Sequence, residues 1–210
     1  MDKAIDIVDL RAKIPNDIFT ALELNAFLEG YRNKGAKIAS LLHHRHIISL
    51  RRGLYTFAEP LRRGPLSDGL MANSIYWPSY VSEEFALCHY GLIPETPAVV
   101  TSIAMGRSRR FTNEFGVFTY RYCRSKAYSV GVALAGGERQ RFLMALPYKA
   151  LYDKVLYDAR WDGDDPECYL TEDLRIDLEL LQAQDKQVLH DLAPFMDGRL
   201  KKLRQFLERL

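Results

Sequence analysis

The chain has 210 residues, 48% hydrophobic and 27% charged, the composition of an ordinary globular protein with one domain or two small ones. A net charge of +2 is too mild to name a partner, and three cysteines with no Cys-x-x-Cys spacing give no metal framework and favour a reducing compartment. The charged start, Met1-Asp2-Lys3, carries no signal-peptide pattern and no stretch reaches the ~20 apolar residues of a membrane helix, so a soluble cytoplasmic protein with no membrane partner is expected.

Asp2 to Lys13 places Ile5, Val8 and Leu10 in a weak helical pattern that Pro15 ends. Asp17 or Thr20 is suited to cap a second helix holding Leu22, Leu24, Phe27 and Leu28, closed by Gly30. A third helix is predicted from Asn33 to His44, with Ile38, Leu41 and Leu42 on one face and Lys37, Ser40, His43 and His44 on the other. Ile47 to Phe57 then reads as two β-rich runs about a tight turn in which Gly53 supplies a positive φ. Three helices and a hairpin follow the order of a winged helix-turn-helix.

Charge supports that reading. From Arg32 to Arg63 the basic residues Arg32, Lys34, Lys37, Arg45, Arg51, Arg52, Arg62 and Arg63 stand against one acid, Glu59, a local +7 that leaves −5 for the remainder. Such asymmetry is the footprint of a nucleic-acid reader, because neutralised phosphates release counterions. The second helix of a helix-turn-helix enters the major groove and the wing grips flanking backbone. That directs Lys37, Ser40, His43 and His44 to base edges and Arg51 and Arg52 to phosphates of double-stranded DNA, with Lys34 in the same DNA-binding set. The bland alternative is a solvated basic face. The cluster His43-His44-Arg45-His46 does not make a metal site, because neighbouring helix positions point in different directions.

Ala58 to Pro65, with two prolines and a glycine, is the most linker-like segment and divides a domain of residues 1–63 from one of 64–210. After a short helix at Leu70 to Ile75 comes an aromatic-rich hub, Tyr76 to Glu95. Pro78 and Ser79 break the preceding helix, Ser82 is suited to cap a new one, and Glu83 and Glu84 suit its first turn. Phe85, Ala86 and Tyr90 are placed to share a buried face, and Gly91 and Pro94 end the helix. Ala98 to Met105, Phe111 to Tyr122, Tyr128 to Ala135 and Arg141 to Leu146 predict four or five mostly antiparallel strands. Pro147 opens a helix with Ala150, Leu151, Val155 and Leu156. The acidic loop Trp161 to Glu167 fails as a calcium loop, because Pro166 falls where a ligand should be. Two helices are predicted to finish the chain, an acidic one at Leu170 to Leu181 and a basic one striped by Leu200, Leu203, Leu207 and Leu210. The expected class is α+β: a winged helix-turn-helix, then a mixed domain with an antiparallel sheet and flanking helices.

Tyr76, Pro78 to Val81 and the ending Tyr90-Gly91-Leu92-Ile93-Pro94-Glu95 resemble the hallmark of the AbiEi-type antitoxins, the DNA-binding antidotes of type IV toxin–antitoxin operons. Thr101-Ser102, Arg109-Arg110-Phe111, Phe115-Gly116, Tyr120-Arg121-Tyr122 and Ala145-Leu146-Pro147 before Lys149 to Asp153 continue the likeness. Tyr148 stands where the family usually has a glutamate, and Phe85 where it has a small polar residue. The resemblance implies binding to operator repeats upstream of the protein's own operon, repression through the winged helix, and a C-terminal domain that counteracts a nucleotidyltransferase-like toxin without a stable complex. The alternative is a stand-alone winged-helix regulator whose C-terminal domain binds a ligand or a protein. There is no Gly-x-Ser-x-Gly elbow, phosphate-binding Gly-rich loop or His-Glu-x-x-His, so neither an enzyme nor a cofactor is expected.

Overall fold

The computed structural model describes residues 4–124 and 126–210, which separate into two compact units. The first runs to Ser67 and includes Asn113–Phe115; the second comprises Asp68–Thr112 and Gly116–Leu210.

In the first unit α1 (Ile7–Lys13) starts at Asp6, whose carboxylate accepts from the Val8 and Asp9 amides at 2.9 and 3.1 Å. A short strand not expected from the sequence, β1 (Ile18–Thr20), follows and pairs antiparallel with the later strand Leu54–Phe57. Thr20 then opens α2 (Ala21–Phe27) with a capping box: its hydroxyl accepts from the Glu23 amide, and the Glu23 carboxylate accepts from the Thr20 amide at 2.7 Å. Asp17, the other candidate cap, instead pairs with Arg11 at 2.6 Å. The helix stops at Phe27, short of Gly30, and Leu22 is 80% exposed rather than on the buried face. Next come α3 (Lys34–His43), β2 (Ile47–Arg51) and β3 (Leu54–Phe57), with Gly53 at φ 80° in the tight turn. The strands form one antiparallel sheet in the order β1-β3-β2. Leu10, Phe19, Leu24, Leu28, Leu41, Ile47 and Phe57 fill the core between helices and sheet.

In the second unit the order is α4 (Asp68–Ile75), β4 (Ser79–Val81), α5 (Glu83–His89), β5 (Val99–Ala104), β6 (Arg109–Asn113), β7 (Gly116–Tyr122), β8 (Val132–Ala135), β9 (Phe142–Ala145) and α6 (Pro147–Tyr157). Four short helices close the chain: α7 (Pro166–Cys168), α8 (Leu178–Gln182), α9 (Gln187–Leu192) and α10 (Gly198–Leu207). The strands form a six-stranded sheet, β6-β7-β5-β4-β9-β8. It is mixed rather than mostly antiparallel, since β5 runs parallel to β7 and β4 parallel to β9. One of these strands, β4, was read from sequence only as a helix break after Pro78; it is wholly buried in the middle of the sheet.

Two further expectations are corrected. Of the face predicted for Phe85, Ala86 and Tyr90, only Ala86 is fully buried. The single helix expected at Leu170 to Leu181 is broken: a π-helical turn covers Tyr169–Asp173, Arg175 sits at φ 54°, and the Asp177 amide donates to the Leu92 carbonyl at 2.9 Å. Asp177 then caps α8. The last helix keeps its stripe, with Leu200, Leu203 and Leu207 buried. Among the described residues no helix is long and apolar enough to cross a membrane.

Candidate nucleic-acid interface

Asn33 starts α3 by accepting from the Ala36 amide at 3.0 Å. Leu41 anchors the helix in the core, with Ile38 and Leu42 half-buried beside it. The helix ends where Arg45 turns left-handed at φ 53° and the His46 amide reaches back to the Leu41 carbonyl at 2.9 Å. This fixes which side chains point outward.

The seven sequence-derived candidates fall into three groups. Lys37, Ser40 and His44 come together with His46 in a cleft of about 250 Å³ whose floor is Leu41 and whose wall includes Ala4, Ile5 and Ile7. The Lys37 ammonium lies 5.2 Å above the Tyr31 ring, and His44 Nδ1 is 2.9 Å from the Ser40 carbonyl and 3.4 Å from its hydroxyl. Those local bonds orient an imidazole and a hydroxyl one helical turn apart. His43 is exposed just outside the cleft, edge-on to His44 at 5.1 Å. Arg51 and Arg52 form the second group at the hairpin tip, both exposed; a register shift between Ser49 and Arg51 bulges the strand there, and the Arg51 guanidinium donates to the Arg52 carbonyl at 3.0 Å. Lys34 stands apart: it is half-buried and donates to the Asn25 carbonyl at 3.3 Å, tying α3 to α2. Arg45, also counted in the basic run, pairs with Glu114 of the same unit at 2.6 Å. His46 was not singled out as a contact, although its place one residue past the helix-closing turn was visible.

The second unit holds a polar cluster that the sequence did not announce. The Asp153 carboxylate accepts from Lys149 Nζ at 3.0 Å, the Tyr80 hydroxyl at 2.9 Å and the Ser82 hydroxyl at 2.8 Å. Both charged partners are buried; Lys149 also donates to the Ala127 carbonyl at 3.0 Å and lies 4.7 Å above the Tyr152 ring. Burial raises the Asp153 carboxyl above the ordinary range, against the pull of Lys149 and the donated hydrogen bonds. Ser82 is therefore at the expected start of α5 but its side chain does not cap that helix. Beside it Glu83, buried and at φ 53°, faces the half-exposed Arg121 at 2.7 Å. Burial pushes its carboxyl up to about 8, with Glu84 and Asp153 adding and Arg121 and Lys154 opposing. Lys154 bridges Glu84 and Asp158, and the Arg160 hydrogen bonds hold Asp158 well below the usual carboxylate range. The i,i+4 spacing of Lys149 and Asp153 on α6 was the available signal.

Neither known protein families nor curated proteins give a match to the chain.

Proposed function

We propose that the chain is a DNA-binding antitoxin of a type IV toxin–antitoxin operon, which represses its own operon through a winged helix in the first unit and counteracts a nucleotidyltransferase-like toxin through the second. The observation that carries the DNA half is the pairing, within one small unit, of an outward cleft on α3 with a protruding basic hairpin. The helix–strand–helix–helix–hairpin order supports reading α2 and α3 as the helix pair and β2–β3 as the wing. On that reading Ser40, His43, His44 and Lys37 meet base edges in the major groove, while Arg51 and Arg52 neutralise flanking phosphates. The antitoxin half rests on the resemblance of Tyr76 to Glu95 and of the later segments to the AbiEi pattern.

A stand-alone regulator with a ligand-binding second unit is favoured by one feature, a cleft of about 440 Å³ lined by Gly91 to Pro94, Thr171 and Arg175 to Asp177. The test is binding of the full-length protein to a duplex from upstream of its own reading frame against a shuffled duplex. Specific binding that shifts base preference in Ser40→Ala or His44→Ala supports the reading; equal binding to both duplexes refutes it. A co-transcribed nucleotidyltransferase-like toxin neutralised by this chain separates the antitoxin from the regulator.

A further inference from the structure

A second part of the chain is strongly basic. From Thr96 to Gly137 there are six arginines or lysines and one acid, Glu114, so that the chain outside the two basic runs carries −10. The sheet register of the second unit gathers this charge at one end. β5 and β7 run parallel with Ala104 opposite Tyr122, so they finish together, and β4 runs antiparallel with Ser79 opposite Ala104, so it begins there. Trp77 lies just before β4, Met105 just after β5 and Tyr122 at the last position of β7; the Met105 amide donates to the Pro78 carbonyl at 3.3 Å.

These three large side chains are 66%, 55% and 52% exposed, in a unit that buries Tyr80, Phe118, Tyr120 and Tyr152. Arg107, Arg109 and Arg110 occupy the connection from β5 into β6, and the Ser108 hydroxyl accepts from the Tyr122 amide at 3.0 Å, which ties that connection to the end of β7. All three arginines are exposed, and among the described residues no carboxylate pairs with them. Arg124 and Lys126, also exposed, follow β7.

Flat aromatic faces beside unpaired guanidinium groups suit a particular ligand. In a duplex the base faces are already stacked on each other, so an exposed indole or phenol gains contact only from unpaired bases. Trp, Tyr, Met and Arg also occur at protein interfaces, but a cluster of cations without a paired carboxylate matches the phosphates of an anionic strand. We propose that this end of the sheet binds single-stranded nucleic acid, with Trp77 and Tyr122 stacking on bases and Arg107, Arg109 and Arg110 holding the backbone. The surface belongs to the second unit and is independent of α3 and the hairpin.

The test uses the full-length protein and fluorescein-labelled oligothymidylate and oligouridylate about 12 nucleotides long, followed by anisotropy. Binding quenches tryptophan emission, and the quench reports Trp77, because the other tryptophan, Trp161, is 6% exposed and stacked on Tyr169. Trp77→Ala and Tyr122→Ala each weaken binding roughly 5- to 100-fold, while Trp77→Phe retains most of the affinity. Replacing Arg107, Arg109 and Arg110 by Ala flattens the salt dependence. Binding of either oligomer with these losses supports the proposal. Binding of neither, or affinity indifferent to both aromatic substitutions, overturns it whether or not the first unit reads duplex DNA.

Discussion

Asp153→Ala removes the acceptor on which Lys149, Tyr80 and Ser82 converge. The lysine is fully buried, and without the carboxylate it keeps one carbonyl, that of Ala127, and the faces of two tyrosine rings. Breaking a buried ion pair by deleting one partner costs about 3–5 kcal/mol, and each hydroxyl left without its acceptor adds about 1 kcal/mol. At roughly 2–4 °C per kcal/mol for a chain of this size, the melting temperature should fall by about 10–30 °C. Replacing the pair together, Lys149→Met with Asp153→Leu, removes the stranded charge and should recover more than half of that loss. Calorimetric melts of the wild type, Lys149→Met, Asp153→Leu and the double variant complete the cycle, with Asp153→Ala beside them. A single variant within about 1 kcal/mol of wild type, or a double variant no better than Asp153→Ala, would refute the view that the cluster is held by the charge pair.

Glu83 makes stability depend on pH in a definite direction. Its folded carboxyl holds its proton up to about 8, against 4.5 for the ordinary group, so between those values unfolding releases a proton and stability falls as pH rises. The slope reaches at most about 1.4 kcal/mol per pH unit, over a window that Arg121 narrows by lowering the folded value, and Glu83→Gln should flatten it in urea titrations across that window. Identical slopes in the two proteins would discount the buried carboxyl. A protein starting at Ser67 retains the whole of the second unit, with Asn113–Phe115 of the first, and should melt cooperatively, lose operator binding, and still protect cells from the toxin when expressed from a foreign promoter. Loss of protection in a truncation that melts cooperatively would assign part of the antidote to the first unit.

The first unit was largely legible in the sequence because its signals are local. Asn33, the Ile38–Leu41–Leu42 spacing and Gly53 each act within a few residues, and the helix and hairpin formed where those residues put them. What escaped depends on distant partners. β1 is three residues long and is a strand only because Phe19 packs 4.7 Å from Phe57 and pairs along β3. β4 follows Pro78 and owes its form to β5 and β9 on either side. The parallel pairings of the large sheet are likewise invisible to alternation, which reports which face is buried and not which way a neighbour runs. Lys149 and Asp153 have the spacing of a solvent-facing helical pair, and nothing local says that both are buried. At the candidate interface, Lys37, Ser40 and His44 share a face by helical period alone, whereas the turn of Lys34 towards Asn25 required the packing of α2 against α3.

The claim that the first unit reads duplex DNA with its hairpin on the backbone is tested most directly by the salt dependence of operator binding in Arg51→Ala/Arg52→Ala. Each phosphate contact contributes about 0.9 to the slope of log K against log salt, so losing two should flatten the slope by about 1.8 and weaken binding across all sequences alike. A slope and affinity equal to those of the wild type would take the hairpin out of the interface and contradict the account.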